Sequence, residues 1–587
     1  MKKLLLTLAC AGVLLSSCDT TKETGSGESS SLTAAKGGRY YGGVFKVNES
    51  DYIKNLFPHN ITDAISYRVA NQVYEGLMKF NQADLSLIKG IAEDYSVDPS
   101  KTVYTFKIRK GVLFHDNECF PGGKGRELTA EDVKFCFTQL CTQNINNQGF
   151  SVFQGILKGA DEYYKASEGG KKPSFEVDGI KVIDPNTIQF TLTAPNSIFL
   201  YNLARPFTYI FPKEALEKYG LEMRTKAVGT GPFKIFSIED DISIILKKNE
   251  NYWGSDEHGN KLPFLDAIKI KFIKDKKTEL LEFKKGNLDM MYRLPTDHII
   301  EILEEVKGNK GQFGQYDLQR TPEMATHFLS FLNQGKIFNN KDLRKAFSFA
   351  IDRKKILEFV LNGEGYAPAT HGITPIDIFK NPVYDVSKIN GYDLNLDSAK
   401  YYLKKAGYPD GKGFPKITLE LNSDGERNAA VAEEIQKQLK EHLNISIELN
   451  IVPFAQLVEN MINGKSDFFR GGWIADYPNP ENFLWFFYGK TVPASLEKPP
   501  YPNMMRYKSD KFDKLYEAGL KATTQEEAFK HFLEAENIVM QDAPIMVLWY
   551  DEGYRLMQAF VKNFPNNAMQ YRDFTNVYFE YPKKADM

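Results

Sequence analysis

The stretch Arg470-Gly471-Gly472-Trp473-Ile474-Ala475-Asp476-Tyr477-Pro478-Asn479-Pro480 brings together a guanidinium, two glycines, two aromatic rings, one carboxylate and two prolines. Gly471 and Gly472 let the backbone take positive φ or approach another group closely. Pro478 and Pro480 fix φ and push Tyr477 and Asn479 toward extended or turn geometry. A carboxylate held between aromatic rings on a stiffened loop suits a cation such as a peptide's α-ammonium. The plainer reading is a turn built by Asp, Asn and Pro, with Trp473 in the core.

Working outward, the segment before this stretch has a legible pattern. Ile417, Leu419 and Leu421 alternate; Val431, Ala432, Ile435 and Leu439 recur at helical spacing; Ile445, Ile447, Leu449 and Ile451 alternate again. Strand, helix, strand makes a βαβ unit and so an α/β lobe. Ligands in such lobes favour the carboxyl ends of strands, where the Trp473–Asp476 loop is expected. After it, Phe512, Leu515, Tyr516 and Leu520, then Phe529, Phe532, Leu533 and Val539, predict two closing helices. Ala543-Pro544-Ile545-Met546-Val547-Leu548-Trp549-Tyr550 predicts a last apolar strand.

A chain of 587 residues exceeds one hydrophobic core, so two or three domains are expected. Lys+Arg 74 against Asp+Glu 76 leaves a net charge of −2, which gives no reason to expect nucleic acid or a charged membrane surface as partner. Aromatic residues are 13% of the chain, which suits either bulky cores or a cleft that meets ligands through flat apolar faces.

Lys2 and Lys3, an apolar run over residues 4–15, and Ser16-Ser17-Cys18 predict a signal peptide over 1–17. The small residues before Cys18 resemble a bacterial lipobox, which implies a diacylglycerated Cys18 and a membrane anchor. No other uninterrupted apolar run approaches the ~18 residues a spanning helix needs. Residues 18–39 are rich in Ser, Thr, Gly and Lys and read as a flexible tether. Cys119, Cys136 and Cys141 remain, without metal-ligand spacing, and Cys136 and Cys141 fall in one helical pattern as core residues.

In chain order, Val73-Tyr74-Glu75-Gly76-Leu77 comes first. Val103 to Arg109 alternates, with Tyr104, Phe106 and Ile108 on one face, and leads into Phe114-His115-Asp116. Leu128-Thr129-Ala130-Glu131-Asp132-Val133 predicts a helix start, with Thr129 as N-cap and Asp132 three residues on. Between the last two motifs lies a Gly-rich insertion, residues 118–127. The adjacent His115 and Asp116 have no nucleophile or further ligands, so a structural role is expected. Ala227-Val228-Gly229-Thr230-Gly231-Pro232-Phe233-Lys234 lacks the glycine and lysine spacing of a phosphate cradle. Asn251-Tyr252-Trp253-Gly254, Pro263-Phe264-Leu265-Asp266, Gly286-Asn287-Leu288-Asp289 and Leu343-Arg344-Lys345-Ala346-Phe347-Ser348-Phe349-Ala350-Ile351-Asp352-Arg353 follow.

These motifs, in this order, resemble the signatures of the family 5 solute-binding proteins, the periplasmic oligopeptide- and dipeptide-binding proteins of ATP-binding-cassette importers. The resemblance covers the chain from about Tyr40 onward; the 118–127 insertion departs from it. It implies an α/β, bilobal periplasmic-binding-protein type II fold with an extra inserted subdomain (cluster C-like). One lobe would comprise 40–79, 225–320 and 544–587, with the insert at 80–224 and the second lobe at 321–543. It implies that Asp476 holds a peptide's amino terminus, that Trp473 lines the cleft with Tyr477 beside it, and that Arg470 reaches a short peptide's carboxylate. The expected partners are a peptide, an inner-membrane permease and its ATPase; the expected state is a periplasm-facing, lipid-anchored monomer without cofactor or resident metal.

The same fold serves other ligands, so nickel, haem or an oligosaccharide stays open. A lipoprotein hydrolase would need a nucleophile elbow or a HExxH helix, and the sequence has neither; paired carboxylates have no sequence signature.

Overall fold

The computed structural model describes residues 32–309, 311, 313–375, 382–422, 425–496, 498 and 500–581. The leader, with Cys10 and Cys18, lies outside the described residues.

Strand Val103–Ile108 buries Tyr104, Phe106 and Ile108 as its alternation requires, and pairs Tyr104 with Phe190 and Phe106 with Ile188. Ala92–Val97 and Ile180–Asp184 complete a four-stranded antiparallel sheet with Thr187–Thr191. Helix Ala130–Leu140 starts at the expected capping box, where the Thr129 and Asp132 side chains each bond the other's backbone N–H, and it buries Val133, Cys136, Phe137 and Leu140. Cys136 and Cys141 are free, buried thiols whose burial pushes their pKa values up. The 118–127 insertion is pinned by its own charges: Arg126 meets Asp132 at 2.6 Å and Glu214 at 2.7 Å.

A second four-stranded sheet holds Val44–Glu49, Phe233–Glu239, Ser243–Lys248 and Ala267–Phe272, with Val44–Glu49 parallel to Ala267–Phe272. Three sequence motifs converge beside it on one buried carboxylate. Glu75 accepts hydrogen bonds from Thr230 Oγ1 at 2.8 Å, Tyr252 Oη at 3.1 Å and Trp253 Nε1 at 3.0 Å. Gly229 passes so close to the 73–74 backbone that a Cβ would lie 2.2 Å from the Val73 carbonyl oxygen. His115 donates from Nε2 to the Gly231 carbonyl at 2.9 Å, and burial lowers its pKa to about 4. His115 thus supports this turn, while Asp116 accepts from Lys124 Nζ at 2.8 Å and from the Gly125 N–H at 3.0 Å, so both residues are structural.

The largest sheet has seven strands. Thr418–Asn422, helix Gly425–Leu443 and Glu448–Val452 form the expected βαβ unit, with the two strands parallel. Phe468–Ile474 lies parallel to Thr418–Asn422 and antiparallel to the long strand Asp317–Phe331. That strand also pairs antiparallel with Ile545–Met557, with register shifts between Pro322 and Thr326 and between His327 and Phe328. Together these two strands run from Met290–Tyr292, beside the Val44–Glu49 sheet, into the βαβ lobe. They connect the two lobes, and the irregular pairing near Pro322 lies where they cross.

The strand expected last, Ile545–Met557, is followed by two short strands, Val561–Lys562 and Tyr578–Phe579, and is longer than the apolar pattern suggests: all of it is buried, including Asp551, Glu552 and Arg555. Periodicity misses such residues because ion pairs at Asp551 and Glu552, and hydrogen bonds from Arg555 to Gln319 and the Phe564 carbonyl, satisfy them inside. The closing helices Asp510–Lys521 and Gln525–Asp542 are present, and Phe331, Phe338 and Phe347 pack around Phe468, so much of the aromatic content is core.

The tether expected over 18–39 is corrected at its carboxyl end. Thr33–Ala34 pairs with Tyr40–Tyr41, the Lys36 N–H donates to Asn260 Oδ1 at 2.9 Å, and Arg39 meets Asp256 at 2.5 Å. Polar residues read as linker are held here by partners more than two hundred positions away.

Candidate ligand site between the lobes

Arg470 to Ile474 form strand rather than loop, and neither Gly471 nor Gly472 has positive φ. Of the two geometries open to these glycines, positive φ and close approach, the strand uses the second. Gly471 is needed for close approach, since a Cβ there would lie 2.3 Å from the Phe328 ring. The turn proper begins at Ala475, whose N–H donates to the Met324 carbonyl at 2.8 Å.

One residue outside the motif organises this turn. Asn482 Oδ1 accepts from the Asp476 N–H at 2.9 Å and from Trp473 Nε1 at 2.8 Å. Asn479 Oδ1 in turn accepts from the Glu481 N–H at 2.9 Å, which starts the short helix Glu481–Leu484. Sequence reasoning missed Asn482; an Asx residue spaced to reach back across two prolines was the available signal.

Trp473 is half-buried, edge-on to Phe486 at 4.5 Å. Tyr477 is buried; its hydroxyl donates to Glu481, as does that of Tyr516. Burial first of all pushes the Glu481 carboxyl above its ordinary range, against the hydrogen bonds of these two phenols. Tyr477 also stacks on Tyr201 at 5.6 Å, a ring from the other side of the seam.

Asp476 has a partner that the sequence did not suggest. Its Oδ2 accepts from Arg205 Nη2 at 2.7 Å, with the Arg205 side chain 10% and the Asp476 side chain 36% exposed. The guanidinium carbon lies 5.6 Å from the Tyr477 ring centre and 5.4 Å from that of Phe207. Burial alone would lower the Arg205 pKa, but the charge of Asp476 and neighbouring acidic groups raise it on balance. Exposed Tyr501, edge-on to Trp485 at 5.6 Å, borders the same aromatic seam.

Arg470 lies away from this pair, in a charged network along the crossing strands. It donates to Asn422 Oδ1 at 3.1 Å and to His327 Nδ1 at 3.2 Å. Since Nδ1 accepts, His327 carries its proton on Nε2 and donates it to Asp551 at 2.8 Å; burial, the largest influence, lowers its pKa to about 4. Asp551, wholly buried, also meets Arg293 at 2.6 Å and Arg427 at 3.2 Å. Burial would raise the Asp551 carboxyl, but these cations hold it well below the usual range. Asp476 and Arg470 thus belong to two separate polar clusters on one strand–turn unit. Among the described residues no group of three or more His, Cys, Asp or Glu side chains is placed to hold a metal. No described helix is long and apolar enough to cross a membrane.

Two α/β lobes are joined by a pair of long paired strands, with a charged and aromatic seam between them. The chain belongs to the bacterial extracellular solute-binding proteins, family 5, whose middle-region profile matches residues 86–495. Heme-binding protein A of Haemophilus influenzae is 26% identical, over 98% of this chain and 98% of that protein. The oligopeptide-binding protein OppA of Bacillus subtilis is 26% identical, over 90% and 91%. Among solved structures, the periplasmic binding protein DppA of Helicobacter pylori, in complex with the peptide STSA, superposes with a TM-score of 0.76 at 26% identity, covering 92% of this chain and 99% of that one.

Proposed function

We propose that this protein is the substrate-binding subunit of a peptide importer. It captures peptides between its lobes, without chemical turnover, and delivers them to a permease driven by an ATPase. The observation that carries this reading is the Asp476 carboxylate, on a turn that Asn482 pins through the Asp476 N–H, walled by aromatic rings and engaged by the Arg205 cation. An α-ammonium is a cation that every unblocked peptide shares. Peptide backbones can add to the seam much as a strand is added to a sheet, while side chains enter roomy pockets. In this reading Trp473 borders the amino-terminal subsite, Tyr477 forms its floor, and Arg470 attracts the ligand's carboxylate end. The similarity to peptide-binding OppA and to a DppA solved with a peptide supports it.

Haem is the second reading, favoured by the end-to-end similarity to Heme-binding protein A. Mass spectrometry of ligand released from protein purified without added peptide separates the two. Peptides are the expected result; haem and no peptide overturns the proposal.

The protein acts as a monomer on the periplasmic side of a membrane, anchored through a diacylated Cys18. Cys18→Ala is expected to shift it to the soluble fraction or leave it unprocessed. Unchanged membrane partition and processing would sink the anchor.

A further inference from the structure

Two donors beside the Asp476 carboxylate have more hydrogen-bonding capacity than it takes up. A guanidinium has five N–H donors and can grip a carboxylate with two parallel bonds. Arg205 gives Asp476 one, from Nη2 to Oδ2 at 2.7 Å, and its Nε is buried with no hydrogen-bond partner. The second donor is Tyr67, on helix Ala64–Val73. Its neighbours Tyr209 and Tyr571, with ring centres 6.4 and 6.2 Å away, both donate to Asn71 Oδ1, at 2.7 and 3.2 Å. The Tyr67 hydroxyl is left buried without a partner, in the field of both Asp476 and Arg205.

Charge counting sharpens the point. With an ammonium on Asp476, one carboxylate serves two cations, the ligand's and Arg205. The surplus positive charge would lie among the rings of Phe207 and Tyr477, 5.4 and 5.6 Å from the guanidinium carbon, where an unbalanced charge is costly. The other acid nearby does not balance it. Glu481 is buried, its two oxygens accept from Tyr477 and Tyr516, and burial pushes its carboxyl above the ordinary range. The balancing anion has to come with the ligand.

We propose that Arg205 is a specificity-determining residue, selecting ligands that carry a carboxylate a few bonds from their amino end, as in a peptide whose first residue is Asp or Glu. This rests on the reading of Asp476 as the ammonium anchor. The ligand's two charges then alternate with the protein's two: ammonium on Asp476, carboxylate on Arg205, and the protein's own ion pair between them. The Asp476 side chain is 36% exposed, so the ammonium meets its open side while Arg205 keeps its bond to Oδ2. Tyr67 Oη offers the ligand carboxylate a neutral donor beside the guanidinium. A first-position Gln or Asn fills the same space and accepts a hydrogen bond, but leaves the surplus charge in place.

The test uses pools of three- to six-residue peptides that differ only in Glu or Gln at the first position, their amino ends free or acetylated, with retained peptide read by mass spectrometry. Wild type is expected to hold the free-amine Glu pool roughly tenfold more tightly than the Gln pool, about the worth of one charge-assisted hydrogen bond. Arg205→Met keeps much of the side-chain volume and removes the charge. In that variant the ammonium and Asp476 balance each other, so the two pools should bind alike. Should Arg205→Met fail to fold, Arg205→Lys keeps a cation but loses the planar fork, and a reduced preference is expected. Equal retention of the Glu and Gln pools by wild type, with free amines still preferred to acetylated ones, overturns the role of Arg205 while the anchor stands. A preference that survives in Arg205→Met assigns the ligand's acid to another residue and overturns it too. If wild type retains free and acetylated peptides alike, or no peptide at all, the anchor reading has failed and the selection falls with it.

Discussion

Asp476→Ala is expected to weaken binding of a free-amine peptide by a factor of thirty or more. Removing one partner of a buried, hydrogen-bonded charge pair costs about 2–5 kcal/mol, much of it from the partner left behind. Acetylating the peptide's amino end deletes the same interaction from the other side, so wild-type binding should fall comparably. The two losses should not add, because residues that act on one contact fail additivity. Calorimetry on the four combinations reads this directly: a double change no worse than either single change is the expected result. Equal binding of free and acetylated peptides by wild type would reduce Asp476 to a turn residue paired with Arg205. Arg470, which touches Asn422 and His327, takes no part in the pair between Arg205 and Asp476.

Asp551→Ala is expected to be the most destabilising single change along the crossing strands. The carboxylate is wholly buried between Arg293, His327 and Arg427, at 2.6, 2.8 and 3.2 Å. Breaking a buried charge pair from one side costs about 3–5 kcal/mol, because the remaining charges stay out of water. Urea unfolding should show this as a lower midpoint at similar slope; a loss below about 1 kcal/mol would mean that water or rearrangement replaces the carboxylate. Acid should act on the same cluster in two steps. His327 is held neutral, its pKa lowered from 6.5 to about 4, so the unfolded chain binds the proton first and stability falls as pH drops from about 6.5 to about 4. The buried imidazoles of His115, lowered to about 4, and His59, lowered to about 3, act in the same direction. Asp551 is depressed in the folded state; its contribution is whole above the unfolded value near 3.9 and fades only below it, as pH falls through the lower folded value. The variant should keep the first step and lose the second.

What the sequence by itself determined was local or periodic. The strand, helix, strand order around 417–451 was legible because apolar residues repeat at two and at 3.6 positions. The Thr129–Asp132 capping box was legible because its two bonds span three residues. The order of motifs pointed to the family and the bilobal fold, and one motif glycine shows its physical reason only in space, where Gly229 lets a turn approach the Val73 carbonyl. Tertiary structure alone decided the rest. It carried the strand through Trp473 and Ile474, where a Trp473–Asp476 loop was expected, because Asp317–Phe331 pairs with those residues. It folded residues 33–38 onto Asn260 and its neighbours. It gave Asp476 a partner 271 positions away and buried Asp551 among two arginines and a neutral histidine from three distant segments. Ion pairs of this kind leave no period and need no particular spacing. A charge is drawn inside by whatever opposite charge the fold brings within about 4 Å, and only the folded chain determines which one that is.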